Sequence, residues 1–561
     1  MKFMKIGTRP DTFFTEDATR TMVSDMPSDL TILINNIRFL LHKFPLLPKC
    51  GLLQRLCSSA EDSGDVVVEL HDVPGGEVAF ELCAKFCYGI TINVSAQNFV
   101  AAFCAAKFLR MTDVFEKGNL VPKLEAFFAS CILEGWKDSI LALQTTEKLA
   151  EWAENLGVMR KCIDSIVQKI LSPPVKVRWS YTYTRPGYDQ RRRQQSVPKD
   201  WWTEDLSELS IDHFRCIISA VKSTNALQPQ LIGEALHVYA CRWLPDVTKA
   251  LLPLASSSSS SGQSLDRKQR VLETIVSLIP TDAGSVSVGF LLRLLGTANH
   301  LGASPVTKAE LIRRSGLQFE EATLNDLLLP SQGSGSACDV GLVEVVAESF
   351  SRQWQRQASG EETRSVRSIV KIAKLIDSYL QVIARDPKMP VEKMVSIASA
   401  VPEMARPVHD DLYKAINTYL KEHPDLSKAE KKHLCSILDC QKLSREVCGH
   451  AVRNERLPLR TIVQVLFFEQ DRGGSTATVS SKLPSPSPKQ PHNHHSFMKR
   501  LNLDSDQQSV KTDNNDRRKS SHHVNVKGIP LQIEPRKERE ILEEGVSSGT
   551  KPDPPRVQRT R

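Results

Sequence analysis

The stretch FELCAKFCYGITINVSAQNFVAAFCAAKFLRM, Phe80 to Met111, decides how the rest of the chain is read. Phe80, Cys83, Ala84, Cys87 and Tyr88 recur at helical spacing, and Gly89 supplies the turn that ends the helix. A second apolar stripe, Phe99, Phe103, Ala106 and Leu109, predicts another helix, so that two short amphipathic helices face one core. Upstream, Leu30, Ile32 and Ile34 alternate with Thr31, Leu33 and Asn35. Asn35-Asn36 suits a hairpin turn because Asn tolerates positive φ, and Ile37 to Leu41 then returns as a second strand. His42 to Cys57 reads as a helix. Val66 to Leu70, β-branched and bounded by Gly64 and Pro74, reads as a third buried strand ahead of a helix at Glu77.

A chain of 561 residues has room for about two to four cores of roughly 100–200 residues each. No run approaches the ~18 uninterrupted apolar residues that a membrane span needs. The opening MKFMKIGTRPDTF has no apolar segment of the kind that directs secretion, so the expectation is an intracellular, cytoplasmic protein. The 13 cysteines are odd in number and spread through apolar helical stretches (Cys83, Cys87, Cys104, Cys131, Cys216, Cys241), which suits reduced core thiols better than a disulfide framework.

Charge is distributed unevenly. Residues 471–561 carry 17 Lys/Arg against 11 Asp/Glu, a net +6, and 173–200 carry 7 against 2, a net +5, which leaves −3 on the remainder of a chain whose total is +8. The basic surplus therefore sits in two segments that look unfolded, one rich in Tyr, Arg and Pro, the other in Ser, Pro, His and Asn. Solvated linkers account for them most simply. An electrostatic hold on anionic lipid at the plasma membrane is the functional alternative, at about 1 kcal/mol per basic residue near such a surface. Nucleic acid is not expected as a partner, because no binding-domain signature accompanies the charge.

Between these segments the pattern is helical. Leu120, Leu124, Phe127 and Phe128, then Trp136, Ile140 and Leu143, then Val158, Cys162 and Ile166 mark helices between Asn119 and Leu171. Trp201-Trp202 opens a second helical region, interrupted by the serine run Ser256 to Ser261, a Gly/Ser loop at Ser331 to Ser336 and a polar loop at Arg356 to Ser365. The helix expected from Val366 to Arg385 has the clearest stripe. Ser427 with Glu430 forms a capping box, and Pro458 stands where a first-turn proline opens a helix over Leu459 to Gln470.

Hairpin, helix, strand and helix pair is the order of a BTB/POZ domain, which Phe80 to Met111 resembles. WWTEDLSELSIDHF (201–214), EALHVYACRWLP (234–245), LIDSYLQVIARD (375–386), HDDLYKAINTYLKEHP (409–424) and LPLRTIVQVLFFEQ (457–470) resemble the plant non-phototropic hypocotyl family, in which a BTB domain precedes a large helical domain. With MKFMKIGTRPDTF and LHKFPLL (41–47), the resemblance covers roughly Met1 to Gln470. The expected fold is an α+β BTB/POZ domain followed by a mostly α-helical domain and a disordered C-terminal tail. The expected organisation is an N-terminal segment (1–27), BTB/POZ domain (28–118), helical extension (119–172), basic linker (173–200), family-type helical domain (201–470) and basic Ser/Pro-rich tail (471–561).

The resemblance implies a substrate-specific adaptor of a cullin-3 ubiquitin ligase: the BTB domain holds the scaffold and the helical domain or tail presents a client of unknown identity. It also implies a BTB homodimer or heterodimer. A non-catalytic, membrane-associated signalling scaffold for receptor kinases or auxin-transport regulation is the alternative. Many cullin-binding BTB domains carry an apolar residue two before a glutamate in the loop preceding the third strand; here, in CSSAEDSGD, Ser59 stands two before Glu61. The candidate cullin-contact residues are Ser59, Glu61, Leu120, Leu124 and Phe128.

No enzyme is expected. There is no phosphate-binding P-loop, no G-x-S-x-G and no nucleotide-binding glycine pattern. His433, Cys435, Cys440, Cys448 and His450 cluster without a paired CxxC spacing, and His492, His494 and His495 form a short tract in a polar tail, so neither metal nor cofactor is assigned. Control by phosphorylation is expected at Ser520 (R-x-S after Arg518) and Ser196 (R-x-x-S after Arg193). Nearly two added negative charges would cancel about a third of the tail's surplus, freeing it from a membrane or creating a 14-3-3 dock. Relatives bind 14-3-3 through R-x-S close to their C-terminus. The sequence ends RVQRTR, with no such serine, so the expectation is that this role falls to Ser520 or is not kept. Tyr413 and Tyr419 lie in a family-like motif and fit either modification or a helix interior.

Overall fold

Three short strands open the chain: β1, Phe3–Ile6, β2, Phe13–Glu16, and β3, Thr19–Met22. They belong to a computed structural model that describes residues 2–58, 66–186, 196–246, 262–331, 338–357 and 362–474, all within one compact unit. The hairpin follows as β4, Leu30–Ile34, and β5, Ile37–Leu41, with Ile34 opposite Ile37 and Asn35 at φ 54° in the two-residue turn. β6, Val66–Leu70, runs parallel to β4. The five-stranded order is β2-β3-β5-β4-β6, so the segment read as lying ahead of the domain supplies two of its strands. β7, Ile92–Ser95, pairs with β1 in a separate two-stranded sheet.

Alternation fixes which face is core. Leu30, Ile32 and Ile34, together with Val66, Val68 and Leu70, are buried while their neighbours are not, as a one-sided sheet requires. The expected helix over His42 to Cys57 is instead two short ones, α1, Lys43–Leu46, and α2, Gly51–Cys57. Pro48 lies between them, and a proline has no N–H to donate to the helix ladder, so α1 cannot run on through it. α3, Gly76–Cys87, and α4, Phe99–Phe108, pack on the sheet as a pair. Gly89, at φ 72°, ends α3: its N–H donates to the Phe86 carbonyl and that of Ile90 to Lys85, a Schellman closure.

Helices then continue from the same core: α5, Leu120–Phe127, extended by a π turn over Phe128–Ile132, α6, Trp136–Thr145, α7, Ala150–Asn155, and α8, Val158–Ile170. After α9, Thr203–Leu206, the helical module stacks α10, Ile211–Ser223, and α11, Pro229–Trp243, on α12, Gly262–Leu278. α13, Val288–His300, and α14, Pro305–Leu317, are joined through α15, Leu324–Leu327, to α16, Val340–Gln357, and α17, Glu362–Ile383. α18, Val391–Ser399, α19, Asp410–Glu422, α20, Lys428–Cys435, α21, Arg445–Val452, and α22, Leu459–Gly474, complete it. The capping box forms at α20, where Ser427 and Glu430 each bond the other's backbone N–H. The serine run, most of the Gly/Ser loop and the tail beyond 474 lie outside the described residues.

All 13 cysteines are free. Cys83, Cys87 and Cys104 are core thiols as expected, but Cys216 and Cys241 are exposed and Cys131 is half-buried. Helical spacing identified the right helices without saying which edge of each stripe meets solvent. Among the described residues no helix is long and apolar enough to cross a membrane.

Candidate interaction surfaces

Ser59 and Glu61 lie outside the described residues. Leu120, Leu124 and Phe128 belong to the core. The Asn119 side chain caps α5 by accepting from Leu120 N at 2.8 Å, and the Phe128 ring stacks on Phe99 with centroids 4.8 Å apart. What this stretch turns to solvent is Glu125, Ala126, Ala129 and Ser130, with Glu125 paired to Lys107 at 2.7 Å.

The segment read as a basic linker is in part a packing element. Trp179 and Tyr181 lie against Trp201, each with ring centroids 5.5 Å away, and Trp201 meets Trp136 at 4.6 Å. Trp136 Nε1 donates to Asp205 Oδ2 at 2.6 Å, Thr182 N donates to the same oxygen at 3.0 Å, and Lys137 Nζ reaches Thr182 Oγ1 at 2.9 Å. Arg185 pairs with Asp200 at 2.7 Å and with Glu234 at 2.9 Å. The segment thus bridges the helices that follow the sheet domain and the helical module. Its sequence signal was the spacing Trp179, Tyr181, Tyr183, an aromatic at every second residue, which the basic composition obscured.

Of the proposed phosphorylation sites, Ser196 is exposed, whereas Ser520 is outside the described residues. Tyr413 and Tyr419 are buried on the inner face of α19. The Tyr413 hydroxyl meets His450 Nδ1 at 2.7 Å and accepts from Asn454 Nδ2 at 3.1 Å; the Tyr419 hydroxyl donates to the Met389 carbonyl. Burial raises both phenols above their ordinary range, Tyr419 to about 12. Asp410 and Asp411 turn to different partners, Ser444 N and Lys414.

Cys435, Cys440 and Cys448 are buried and His433 and His450 exposed, and among the described residues no three His, Cys, Asp or Glu side chains are grouped to hold a metal ion. Two clefts stand out. One, about 1010 Å³, is lined by Lys421, Lys431, Arg445, Arg453 and Arg456 with Glu446 and Glu455. The other, about 420 Å³, lies between α11 and α13 and is lined by His237, Cys241, Phe290, Arg293 and Thr297. Sequence reasoning missed the second, although Glu234, His237 and Cys241 stand on one face of α11 by their spacing alone.

A strand-and-helix domain of BTB type fused through shared aromatic packing to a helical module defines an interaction protein. Comparison with known proteins agrees. A family model described as NPH3 family matches residues 200–448. A BTB/POZ domain-containing protein of Arabidopsis thaliana is 58% identical over 512 residues, spanning 90% of this chain and 91% of that one. Phototropic-responsive NPH3 family protein NPY2 of Arabidopsis thaliana is 41% identical over 505 residues, spanning 86% and 78%. Root phototropism protein 3 of the same plant is 36% identical over 572 residues, spanning 83% and 76%. No solved structure matches. The chain belongs to the NPH3 family of BTB/POZ domain-containing plant proteins.

Proposed function

We propose that this chain is a non-catalytic, substrate-specific adaptor of a cullin-3 ubiquitin ligase. The observation that carries the reading is the junction around Trp136, Trp201 and Asp205. Because the helices that continue from the BTB-type domain and the helical module share packed and hydrogen-bonded contacts there, a scaffold on the first and a client on the second are held at a set separation. An adaptor accelerates ubiquitin transfer by that means alone, raising the effective concentration of a client lysine near the charged carrier.

Because Leu120, Leu124 and Phe128 are buried, the cullin contact proposed for this stretch is the outward face of α5 and its π turn, around Ala126 and Ala129. Pairing of two chains through the N-terminal strands is part of the proposal, since Phe3 and Phe14 on those strands are exposed. Calorimetric titration of the full chain with the cullin-3 N-terminal region tests the reading. Saturable binding weakened tenfold or more, by about 1.4 kcal/mol, in Ala126→Arg and Ala129→Arg supports it, and light scattering on the same samples reports the dimer. The full chain is required, because a fragment ending near 171 would strip Trp136 of Trp201 and Asp205.

A signalling scaffold without cullin is the second reading. It is favoured by Ser59 standing where many cullin-binding BTB domains carry an apolar residue, and by similarity to proteins named for phototropism. Absence of any cullin heat at concentrations where the dimer persists selects it.

A further inference from the structure

On α11, Glu234, His237 and Cys241 follow one another at spacings of three and four, which sets their side chains in a row on one face. His237 Nε2 lies 3.6 Å from Cys241 Sγ, and its other ring nitrogen, Nδ1, lies 3.8 Å from Glu234 Oε1. Glu234 is itself held by Arg185 at 2.9 Å, and Arg185 by Asp200 at 2.7 Å. The His237 ring stands edge-on to Phe290 of α13, with centroids 5.1 Å apart. The helix under this row is firmly seated: Tyr239 OH donates to the Leu209 carbonyl, Trp243 Nε1 donates to Ser207 O, and the Tyr239 ring stacks on Phe214 at 4.1 Å.

This arrangement is that of an activated thiol. The carboxylate favours the imidazolium, and the imidazolium favours the thiolate. Their mutual hydrogen bond pushes His237 up to about 9, with Glu234 assisting, and pulls Cys241 below the ordinary thiol range. Cys241 and Cys216 are the two exposed cysteines among the described residues, so Cys241 also meets the access requirement. Its sulfur opens on the cleft of about 420 Å³ between α11 and α13, a size in the range of small-molecule sites. Phe290 and Leu294 give the cleft an apolar wall, and Arg293 brings a cation into it.

We infer that Cys241 is a site of reversible thiol–disulfide exchange with a small anionic disulfide of the glutathione class, activated by His237 and Glu234 and oriented by Arg293. In the step, Cys241 Sγ as thiolate attacks one sulfur of the reagent and the new S–S bond forms. The reagent's S–S bond breaks, and one glutathione thiolate leaves with the electron pair and is protonated by solvent. A free thiol reverses it. The modification places a bulky anionic group between α11 and α13, within the module expected to present clients, so it gives that module a redox-sensitive face independent of cullin binding.

The charged groups that act on the sulfur are His237 of α11, Arg293 of α13 and Asp246 beyond α11, while Glu234 and Arg242 of α11 and Arg185, Glu204 and Glu208 line the neighbouring groove that Cys241 also borders. The test uses the full chain, glutathione disulfide as reagent and mass spectrometry of each cysteine peptide, with Cys216 as internal comparator. Cys241 is expected to form the mixed disulfide about tenfold faster than Cys216 near neutral pH, the difference holding down to about pH 6. His237→Gln should erase that preference while leaving Cys216 labelling and the circular dichroism spectrum unchanged. Arg293→Gln should slow the reaction with glutathione disulfide severalfold but not that with uncharged hydroxyethyl disulfide. Equal rates at the two cysteines, or a preference that survives His237→Gln, would overturn the inference. So would a Cys241 that responds to hydrogen peroxide alone and never carries glutathione.

Discussion

Gly233 lies mid-helix in α11, where glycine normally weakens a helix by about 1 kcal/mol relative to alanine. Its presence has a local cause: a Cβ there would stand 1.8 Å from the Ser285 carbonyl oxygen, so the loop ahead of α13 can close onto the helix only over a bare backbone. Gly233→Ala should therefore destabilise the fold by about 1–3 kcal/mol despite the better helix propensity, read as a lowered midpoint in urea. His213 shows a different residue-scale effect. It is buried on α10, with Nδ1 3.5 Å from Glu147 and Nε2 3.5 Å from Thr146 Oγ1, and burial outweighs Glu147 to lower its pKa from 6.5. The unfolded chain therefore takes up this proton more readily than the folded one, and stability is lost as pH falls through 6.5. His409 is shifted in the same direction, while His237 is shifted upward and its contribution is complete below 6.5. The expected outcome is a comparison: from pH 7.5 to about 5.5 the urea midpoint of the native chain falls further than that of His213→Gln. Parallel falls in the two would remove His213 as the cause.

Elements fixed by neighbouring residues were legible from the sequence, and those fixed at a distance were not. The Asn35 turn, the Gly89 closure and the Ser427–Glu430 box each depend on a few consecutive residues, and each forms as read. β1, β2 and β3 are four residues each and largely exposed or half-exposed, so they carry no core stripe; β2 and β3 pair with each other across Asp17-Ala18, but what ties them to the domain lies further along the chain, Ile37–Leu41 for β3 and Ile92–Ser95 for β1. The bridging run of Trp179 and Tyr181 was hidden for the same reason, since what orders it is Trp201. In the candidate contact stretch, the periodicity of Leu120, Leu124 and Phe128 reported the inner face of α5 and its π turn, leaving the outer face to be found by subtraction. One helix end departs from the usual chemistry. α4 closes as α3 does, with Met111 N donating to Ala106 O and Arg110 N to Lys107 O, yet the residue in the left-handed region is Arg110, at φ 56°, not glycine. An L-residue pays about 1–2 kcal/mol for that conformation. Arg110→Gly should accordingly raise stability by up to about 1 kcal/mol after the added unfolded-state entropy, measurable in the same urea series.

At the scale of the whole molecule, the junction sets how its parts respond together. Asp205 is buried and a single oxygen, Oδ2, accepts from both Trp136 Nε1 and Thr182 N. Asp205→Ala leaves both donors without that partner, and an unpaired buried donor costs about 1–3 kcal/mol. The variant should unfold in two separated transitions, the BTB-type part and the helical module no longer melting as one, when calorimetry is compared with tryptophan fluorescence. A single transition shifted as a block would mean that the aromatic cluster alone couples the two.

The pairing of β1 with β7 also has a consequence for how the chain is made. Phe3 stands opposite Ser95 and Ile6 opposite Ile92, so the strand must wait for about 85 further residues before its partner exists, roughly 4–17 s at about 5–20 residues per second of synthesis. During that interval the hairpin β4–β5 can form on its own, whereas the β1 segment has nothing to bind. Among the strand pairings of the N-terminal domain, the last to become possible is therefore the one closest to the start, and a bulky fusion placed just ahead of Phe3 acts on that late pairing.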